Sequence, residues 1–217
     1  DVPSAEALDA VADAEVYFGY GMSAPLLDAG ARLRWIQSGA AGVRRLLFPA
    51  MRARDVLLTN AAGIHGPPMG DHVLAGVMHF LRGFDVALDR QRAGRWDKLP
   101  WTEPGASDRA ALVREVAECR VLVVGAGGVG REVAARFAAL GARCVGVRRD
   151  PSRGVPAGFA AVVGPDALDA ELPRADVVVL TAPSTAATER VLDRRRLALL
   201  PRGAIVVNVA RGALLDE

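Results

Sequence analysis

Residues 120–130 read Arg-Val-Leu-Val-Val-Gly-Ala-Gly-Gly-Val-Gly and carry the strongest fold signal in the chain. A run of Val and Leu ends in a Gly-x-Gly-x-x-Gly loop, and a helical pattern follows over residues 131–140. In this context Gly125 permits a tight turn, Gly127 lets the backbone approach a pyrophosphate, and Gly130 lets the helix pack on the strand. The pattern predicts a dinucleotide-binding Rossmann fold, with an S-adenosylmethionine-binding fold as the alternative.

The residues that follow the next strand predict which dinucleotide is bound. The strand pattern Arg143–Val147 ends in Arg148 and Arg149, where folds that prefer NAD place a carboxylate on the ribose 2′-hydroxyl. A guanidinium binds a 2′-phosphate, whereas a carboxylate repels it. The pair therefore predicts a preference for NADP(H). NAD(H) binding stays an alternative for two reasons. Asp150 is adjacent and offers a carboxylate. The chain is also rich in arginine, since Lys98 is the only lysine among 27 Lys and Arg residues, so an arginine at this position can arise by chance.

Two further strand patterns end in polar loops. Ala175–Leu180 runs into Thr181–Ser184, and Ala204–Asn208 runs into Val209–Arg211. Ligands of open α/β sheets bind beyond the carboxyl ends of the strands, so both loops are expected beside the glycine loop. Arg211 is then a candidate to grip a substrate anion, or an ordinary surface arginine.

The first 60 residues show a second alternation of short strand and helix patterns, which predicts a smaller α/β unit. Ser4 is the expected N-cap of the first helix. In chain order, the predicted elements are a helix at Ser4–Val11, a strand at Glu15–Phe18, a helical turn at Pro25–Gly30, and strands at Leu33–Gln37 and Val56–Thr59.

Between the two regions, Gly66-Pro-Pro68 interrupts the pattern and a helical apolar period follows from Met69 to Asp89. This period predicts one long helix, whereas Arg92–Ser107, rich in Gly, Pro and Trp, predicts a loop. The domain boundary is expected between residues 66 and 105. The predicted apolar face of the helix comprises Val73, Val77, Phe80, Leu81 and Phe84.

The composition excludes several classes of protein. The chain has 217 residues, of which 51% are hydrophobic and 24% charged, and its net charge is +2. This is enough for a core without a disulfide or metal, and it gives no electrostatic footprint for nucleic acid. Cys119 and Cys144 form no Cys-x-x-Cys motif, so we expect no metal and a reduced, cytoplasmic protein. The sequence holds no apolar run long enough to span a membrane.

Taken together, the motifs resemble the D-isomer-specific 2-hydroxyacid dehydrogenases, most closely the glyoxylate/hydroxypyruvate reductase branch. The resemblance implies a Rossmann-type doubly wound parallel sheet plus a smaller flavodoxin-like α/β substrate domain. It assigns residues 1–66 to a partial substrate domain and residues 67–217 to a dinucleotide-binding domain with its linking helix, lacking a C-terminal part. The matching stretches are Gln37–Gly42, Leu58–Pro68, Asp71–Leu74, Gly125–Gly130, Thr181–Thr188 and Asn208–Glu217.

The resemblance also implies roles for individual residues. Arg211 matches the family arginine that binds the substrate carboxylate and polarises the keto oxygen. The Ser38-Gly39-Ala40 loop matches the amides that hold the carboxylate, and Asp71-His72 lies near the cofactor. The helix Met69–Asp89 is implied to form a homodimer. Together with the motif analysis above, the predicted cofactor-binding residues are Gly125, Ala126, Gly127, Gly128, Val129, Gly130, Arg148, Arg149, Thr181, Ala182, Pro183, Ser184, Val209, Ala210 and Arg211.

The family's proton donor, a histidine braced by a glutamate, lies beyond the Asn208–Gly212 motif and matches no residue present. We therefore expect a truncated chain. Among the three histidines, His65 is the best candidate to face the substrate, ahead of His72 and His79. The leading hypothesis is an NADPH-dependent reductase of small 2-keto acids. The alternative is a non-catalytic dinucleotide-binding fragment or an NAD(P)-sensing relative.

Overall fold

A computed structural model describes residues 2–96 and 113–216 of the chain. The chain divides into two compact units, Asp1–His65 and Gly66–Glu217, hereafter unit 1 and unit 2. Most of the loop predicted over Arg92–Ser107 lies outside the described residues. Within the described part, no helix is long and apolar enough to cross a membrane.

Unit 1 is a parallel three-stranded sheet with strand order β1-β2-β3. As predicted, Ser4 caps the first helix, because its hydroxyl accepts a hydrogen bond from the N–H of Ala7 at 3.2 Å. Core side chains come from the helices and from one face of the sheet, including Leu27 and Ile36. The elements are α1 (Ala5–Ala12), β1 (Val16–Gly19), α2 (Ala24–Ala29), β2 (Trp35–Ser38), a 3₁₀ turn (Arg44–Leu46), α3 (Pro49–Ala53) and β3 (Leu57–Thr59).

Unit 2 is a parallel five-stranded sheet with strand order β6-β5-β4-β7-β8. The order reverses at β4, which is the doubly wound arrangement that the glycine loop predicts. The central strands β4 and β7 are almost wholly buried, as expected of a parallel sheet covered on both faces. The elements are α4 (Gly66–Leu81), α5 (Phe84–Arg92), β4 (Arg120–Val124), α6 (Gly128–Ala139), β5 (Arg143–Val147), β6 (Ala161–Val163), α7 (Leu168–Glu171), β7 (Val177–Leu180), α8 (Arg194–Leu197) and β8 (Ile205–Asn208).

The single helix predicted over Met69–Asp89 is wrong, because the structure has two helices, α4 and α5. Gly83 separates them with φ of +65°, a left-handed conformation that glycine adopts at little cost. Helix α4 also begins three residues earlier than predicted, at Gly66. Pro67 and Pro68 are compatible with its first turn, since the N–H groups there have no partner within the helix.

Helix α4 packs on α6 and belongs to the core of unit 2. Val73, Val77 and Leu81 are buried and contact the cluster that contains Val133 and Phe137. The other predicted core residues of this helix, Phe80 and Phe84, are 50% and 53% exposed, so the prediction is wrong for them. The left-handed turn at Gly83 redirects the chain before Phe84, which therefore does not continue the buried stripe. Phe80 precedes the turn and lies on α4 beside the stripe that Val73, Val77 and Leu81 form.

An ion pair anchors the segment that precedes β4. Arg114 donates to the Asp176 carboxylate at 2.6 Å, and the N–H of Arg120 donates to the same carboxylate at 2.8 Å. Burial alone would raise the pKa of Asp176, but these hydrogen bonds hold the pKa below its usual value. The ionised carboxylate therefore ties this segment to the amino ends of the central strands β4 and β7.

Candidate functional site

The glycine loop joins β4 to α6 in a conformation that only small residues allow. Gly125 has φ of +116°, and a Cβ there would lie 2.5 Å from the amide nitrogen of Ala182. The N–H of Gly125 donates to the carbonyl oxygen of Val147 at 2.9 Å. Thr181 donates its hydroxyl to the carbonyl oxygen of Gly125 at 2.7 Å. These bonds fix the loop against the ends of β5 and β7.

The N-terminus of α6 presents backbone N–H groups without a side-chain cap. Its N-cap, Gly127, has no side chain, and a Cβ built there would meet no atom within 4 Å. At Gly130, by contrast, a Cβ would collide with the carbonyl oxygen of Gly125. One side of the loop is thus open and the other is packed. This is the geometry in which a helix N-terminus holds phosphate oxygens, so the residues present fit a dinucleotide pyrophosphate.

Two further loops follow the adjacent strands β7 and β8 at the same edge of the sheet. In the loop Thr181–Ser184, Ala182 is buried and Pro183 is exposed. The loop is closed by Thr188, whose hydroxyl donates to the carbonyl oxygen of Pro183 at 2.6 Å. In the loop Val209–Arg211, the first two residues are half-buried and Arg211 is exposed. The strand order therefore gathers the predicted cofactor-binding residues of unit 2 at one edge.

Asn208, which is not among the predicted site residues, holds the loop that carries Arg211. Its side-chain oxygen accepts the N–H of Ala210 at 3.0 Å, and its side-chain nitrogen donates to the carbonyl oxygen of Arg211 at 2.9 Å. Short-range bonds of this kind are typical of asparagine at turns, so its position at the end of a predicted strand could have signalled the role. The Arg211 guanidinium donates to the carbonyl oxygen of Ala210 at 2.6 Å.

A second set of bonds holds the chain just beyond Arg211. The N–H of Arg190 donates to the carbonyl oxygen of Ala213 at 2.8 Å, and that of Leu192 donates to Leu214 at 3.0 Å. Arg190 has φ of +47°, which is uncommon for a residue other than glycine. No sequence pattern indicated this left-handed residue.

Arg148 and Arg149 have different surroundings. The Arg148 guanidinium donates to the carbonyl oxygens of Asp150 and Gly154, at 2.8 and 2.7 Å, and so braces the loop after β5. Arg149 is exposed, and its side chain forms no hydrogen bond or ion pair with any residue that the structure describes. A hydrogen bond from Ser152 lowers the pKa of the Asp150 carboxyl. The same bond holds the Asp150 carboxylate against the turn that contains Ser152.

The predicted substrate loop lies in unit 1, after β2. Ser38 is buried, and two of the predicted amides have partners within the unit. The N–H of Gly39 donates to the carbonyl oxygen of Gly19 at 2.9 Å, and that of Ala40 donates to the hydroxyl of Ser38 at 3.2 Å. The next two N–H groups, of Ala41 and Gly42, form no hydrogen bond within the described residues. They are the amides that remain able to bind a carboxylate.

The three histidines lie apart. His65 is exposed at the end of unit 1, and His72 is exposed on α4. His79 is half-buried, with its ring centroid 5.1 Å from that of Phe80. The neighbouring acid Asp71 accepts a hydrogen bond from Arg136 at 2.6 Å, so it joins α4 to α6. Within residues 2–96 and 113–216, no group of His, Cys, Asp and Glu side chains could hold a metal ion.

Comparison with known proteins finds several similar dehydrogenases. The (S)-sulfolactate dehydrogenase of Chromohalobacter salexigens is 30% identical over 257 aligned residues, which cover 100% of this chain and 77% of that protein. A D-isomer specific 2-hydroxyacid dehydrogenase family protein from Aeromonas salmonicida matches with a TM-score of 0.81 and 29% identity, over 98% of this chain and 64% of that one. Another, from Xanthobacter autotrophicus and in complex with NADPH and MES, matches with a TM-score of 0.78 and 27% identity.

The matches differ in how much of each relative they cover. The match to the Xanthobacter protein covers 94% of this chain and 61% of that one. This chain therefore spans less than two thirds of the length of either solved relative. The family model described as "D-isomer specific 2-hydroxyacid dehydrogenase, NAD binding domain" matches residues 74–217. It excludes the S-adenosylmethionine-binding alternative for unit 2. This match, together with the doubly wound sheet and the glycine loop, shows that the chain belongs to the D-isomer specific 2-hydroxyacid dehydrogenase family.

Proposed function

We propose that the protein is an NADPH-dependent reductase that converts small 2-keto acids of the glyoxylate and hydroxypyruvate type to D-2-hydroxy acids. One observation carries the proposal: the glycine loop, Thr181–Ser184 and Val209–Arg211 follow neighbouring parallel strands, and Arg211 is exposed among them. A phosphate-binding loop and an exposed cation at one sheet edge suit a dinucleotide together with an anionic substrate.

In this proposal unit 2 binds the cofactor. The uncapped N–H groups of α6 hold the pyrophosphate, and Thr181 keeps the glycine loop in place for it. The loops Thr181–Ser184 and Val209–Arg211 line the remainder of the dinucleotide. When bound, NADPH supplies the hydride for carbonyl reduction, chemistry that no side chain can perform.

Each unit has its own proposed substrate contacts, Arg211 in unit 2 and the loop that begins at Ser38 in unit 1. The Arg211 guanidinium pairs with the carboxylate and stabilises the negative charge that develops on the keto oxygen. In the loop that begins at Ser38, the free N–H groups of Ala41 and Gly42 hold carboxylate oxygens. Gly39 and Ala40 shape this loop through bonds that they already make. His65 stays a predicted substrate contact.

The preference for NADPH rests on Arg149. Its guanidinium is exposed and has no partner among the described residues, so it is available to a 2′-phosphate. The only carboxylate on the adjoining turn, that of Asp150, is engaged by Ser152. The relative from Xanthobacter, which was solved with NADPH, supports the same preference.

A second candidate function follows from the histidines. Within the described residues, none of them forms a hydrogen bond or ion pair with a carboxylate, the usual brace for a histidine acid. A dinucleotide-binding or NAD(P)-sensing role without turnover is the second candidate, since such a role needs the glycine loop and no braced histidine.

A reduction assay separates the two functions. We expect the native protein to oxidise NADPH when glyoxylate or hydroxypyruvate is added, and chiral analysis to find the D-hydroxy acid. Tight NADPH binding without oxidation by either keto acid would contradict the reductase proposal and support the sensing role.

We also propose that the protein is a cytoplasmic homodimer. Phe80, Phe84 and Leu88 are 50%, 53% and 40% exposed on α4 and α5, and a second copy would cover them. Cys119 and Cys144 are buried free thiols, as expected in a reducing compartment. Light scattering of the native protein and of Phe80→Glu tests the dimer, since the substitution should yield monomers.

A further inference from the structure

The carboxyl edge of the unit 1 sheet has loops without acidic residues. The loops that follow β1, β2 and β3 comprise residues 20–23, 39–43 and 60–65, and none of them contains Asp or Glu. The opposite edge carries both signs of charge. There Glu15 accepts a hydrogen bond from Arg32 at 3.4 Å and lies 4.0 Å from Arg34.

Arginines elsewhere in unit 1 have partners. Arg32 and Arg34 pair with acids at the opposite edge. Arg52 donates to the carbonyl oxygen of Leu47 at 2.8 Å, and Arg54 donates to that of Gly30 at 2.6 Å. The two that remain are Arg44 and Arg45. Their side chains form no hydrogen bond or ion pair with the residues described in unit 1, and both are exposed.

The position of Arg44 and Arg45 follows from the turn on which they lie. They begin the 3₁₀ turn Arg44–Leu46, whose inward residues Val43 and Leu46 pack against the unit 1 core. With three residues per turn, the two positions between them face outward. This turn starts two residues after Gly42, whose N–H group is free to bind a carboxylate. Two residues with unneutralised guanidinium groups therefore follow Gly42 at the second and third positions along the chain.

We propose that Arg44 and Arg45 bind a second anionic group of the substrate. The preferred substrates are then 2-keto acids that carry a sulfonate, phosphate or carboxylate on carbon 3. A planar guanidinium fork matches the paired oxygens of such groups, and an edge whose loops carry no acids favours a dianion over a substrate with a neutral side chain. This inference rests on the proposed reductase function, because it names the substrate class of that same site.

The test compares substrates that differ at carbon 3. The native protein is assayed for NADPH oxidation with 3-sulfopyruvate, 3-phosphohydroxypyruvate, oxaloacetate and hydroxypyruvate. We expect kcat/KM to be highest for one of the three dianions, and this arm identifies the anion. In Arg44→Gln/Arg45→Gln, kcat/KM for that dianion should fall about tenfold more than for hydroxypyruvate, since a hydrogen bond to a charged group contributes about 1.5 kcal/mol or more. Arg34→Gln, which removes an exposed cation from the opposite edge, should leave the ratio unchanged.

Two results would overturn the inference while leaving the proposed reductase function intact. Equal losses for the dianion and hydroxypyruvate in the double variant would refute the role of the arginines, as would a native preference for hydroxypyruvate over all three dianions. If the native protein reduces no keto acid, the reductase proposal fails. Calorimetric titration of each of the three dianions into the NADPH-bound protein then decides the inference. A Kd that rises about tenfold in the double variant for a dianion that the native protein binds supports it, and an unchanged Kd, or no binding of any of the three by the native protein, refutes it.

Discussion

Removing one guanidinium at a time should separate cofactor choice from loop support. In Arg149→Ala, we expect the Kd for NADPH to rise while the Kd for NADH stays unchanged. A hydrogen bond between charged groups contributes about 1.5–3 kcal/mol, and the exposure of Arg149 argues for the lower half of that range. About 1.5–2 kcal/mol corresponds to a rise of about 10- to 30-fold.

Arg148→Ala should behave differently, because the Arg148 guanidinium is already bonded to the carbonyl oxygens of Asp150 and Gly154. Its loss releases the loop after β5, which either dinucleotide must contact. We expect the Kd values for NADPH and NADH to rise together by a similar factor, about fivefold for the loss of about 1 kcal/mol.

Isothermal titration of the native protein and both variants with each dinucleotide measures these constants. Arg143→Ala, an exposed arginine at the opposite end of β5, is the matched control and should change neither Kd. A selective loss of NADPH affinity in Arg148→Ala, with none in Arg149→Ala, would refute the reasoning. Equal affinities of the native protein for NADPH and NADH would refute the preference itself.

Three further predictions concern unit 2. Gly130→Ala places a Cβ against the carbonyl oxygen of Gly125, so we expect urea denaturation to show a loss of about 1–3 kcal/mol and calorimetry to show weaker NADPH binding. Asp176→Asn should cost about 2 kcal/mol at pH 7, whereas Asp89→Asn, in an exposed ion pair, should cost less than about 0.5 kcal/mol. Because the pKa of Asp176 is lowered in the folded state, its contribution to stability is present above the unfolded-state pKa and is lost as pH falls through the folded-state pKa. In denaturation series below pH 5, the unfolding free energies of the native protein and of Asp176→Asn should therefore converge. Asn208→Ala should lower kcat and raise KM for the keto acid in the NADPH assay, and Asn208→Asp, which keeps the acceptor for Ala210, should lie between it and the native protein.

Strands and the glycine loop could be predicted because their signals are local. The pattern Arg143–Val147 matches β5 to the residue, since a run of β-branched and small residues between turns has few alternative structures. Helix α4 was harder to predict. Apolar periodicity continues on both sides of Gly83, so the pattern alone does not reveal a left-handed residue between two helices.

The hydrogen-bonding state of the candidate site could not be predicted, because it depends on tertiary contacts. The N–H of Gly39 is engaged because β1 and β2 pair in a register that brings the carbonyl oxygen of Gly19 to it. The sequence likewise placed Arg148 beside the cofactor without indicating that two backbone carbonyls occupy its guanidinium. Asn208 was part of a recognised motif, but its support of the Arg211 loop is visible only in the structure.

Helix α4 has a practical consequence for anyone who expresses the nucleotide-binding half separately. The family match begins at residue 74, in the middle of this helix, whereas the compact unit begins at Gly66. A gene fragment that starts at residue 74 would delete Val73, Gly70 and the Asp71–Arg136 ion pair, and it would leave a frayed half-helix over Phe137. A fragment that starts at residue 66 keeps the whole helix, so we expect it to be more stable and less prone to aggregation in ligand screening or NMR.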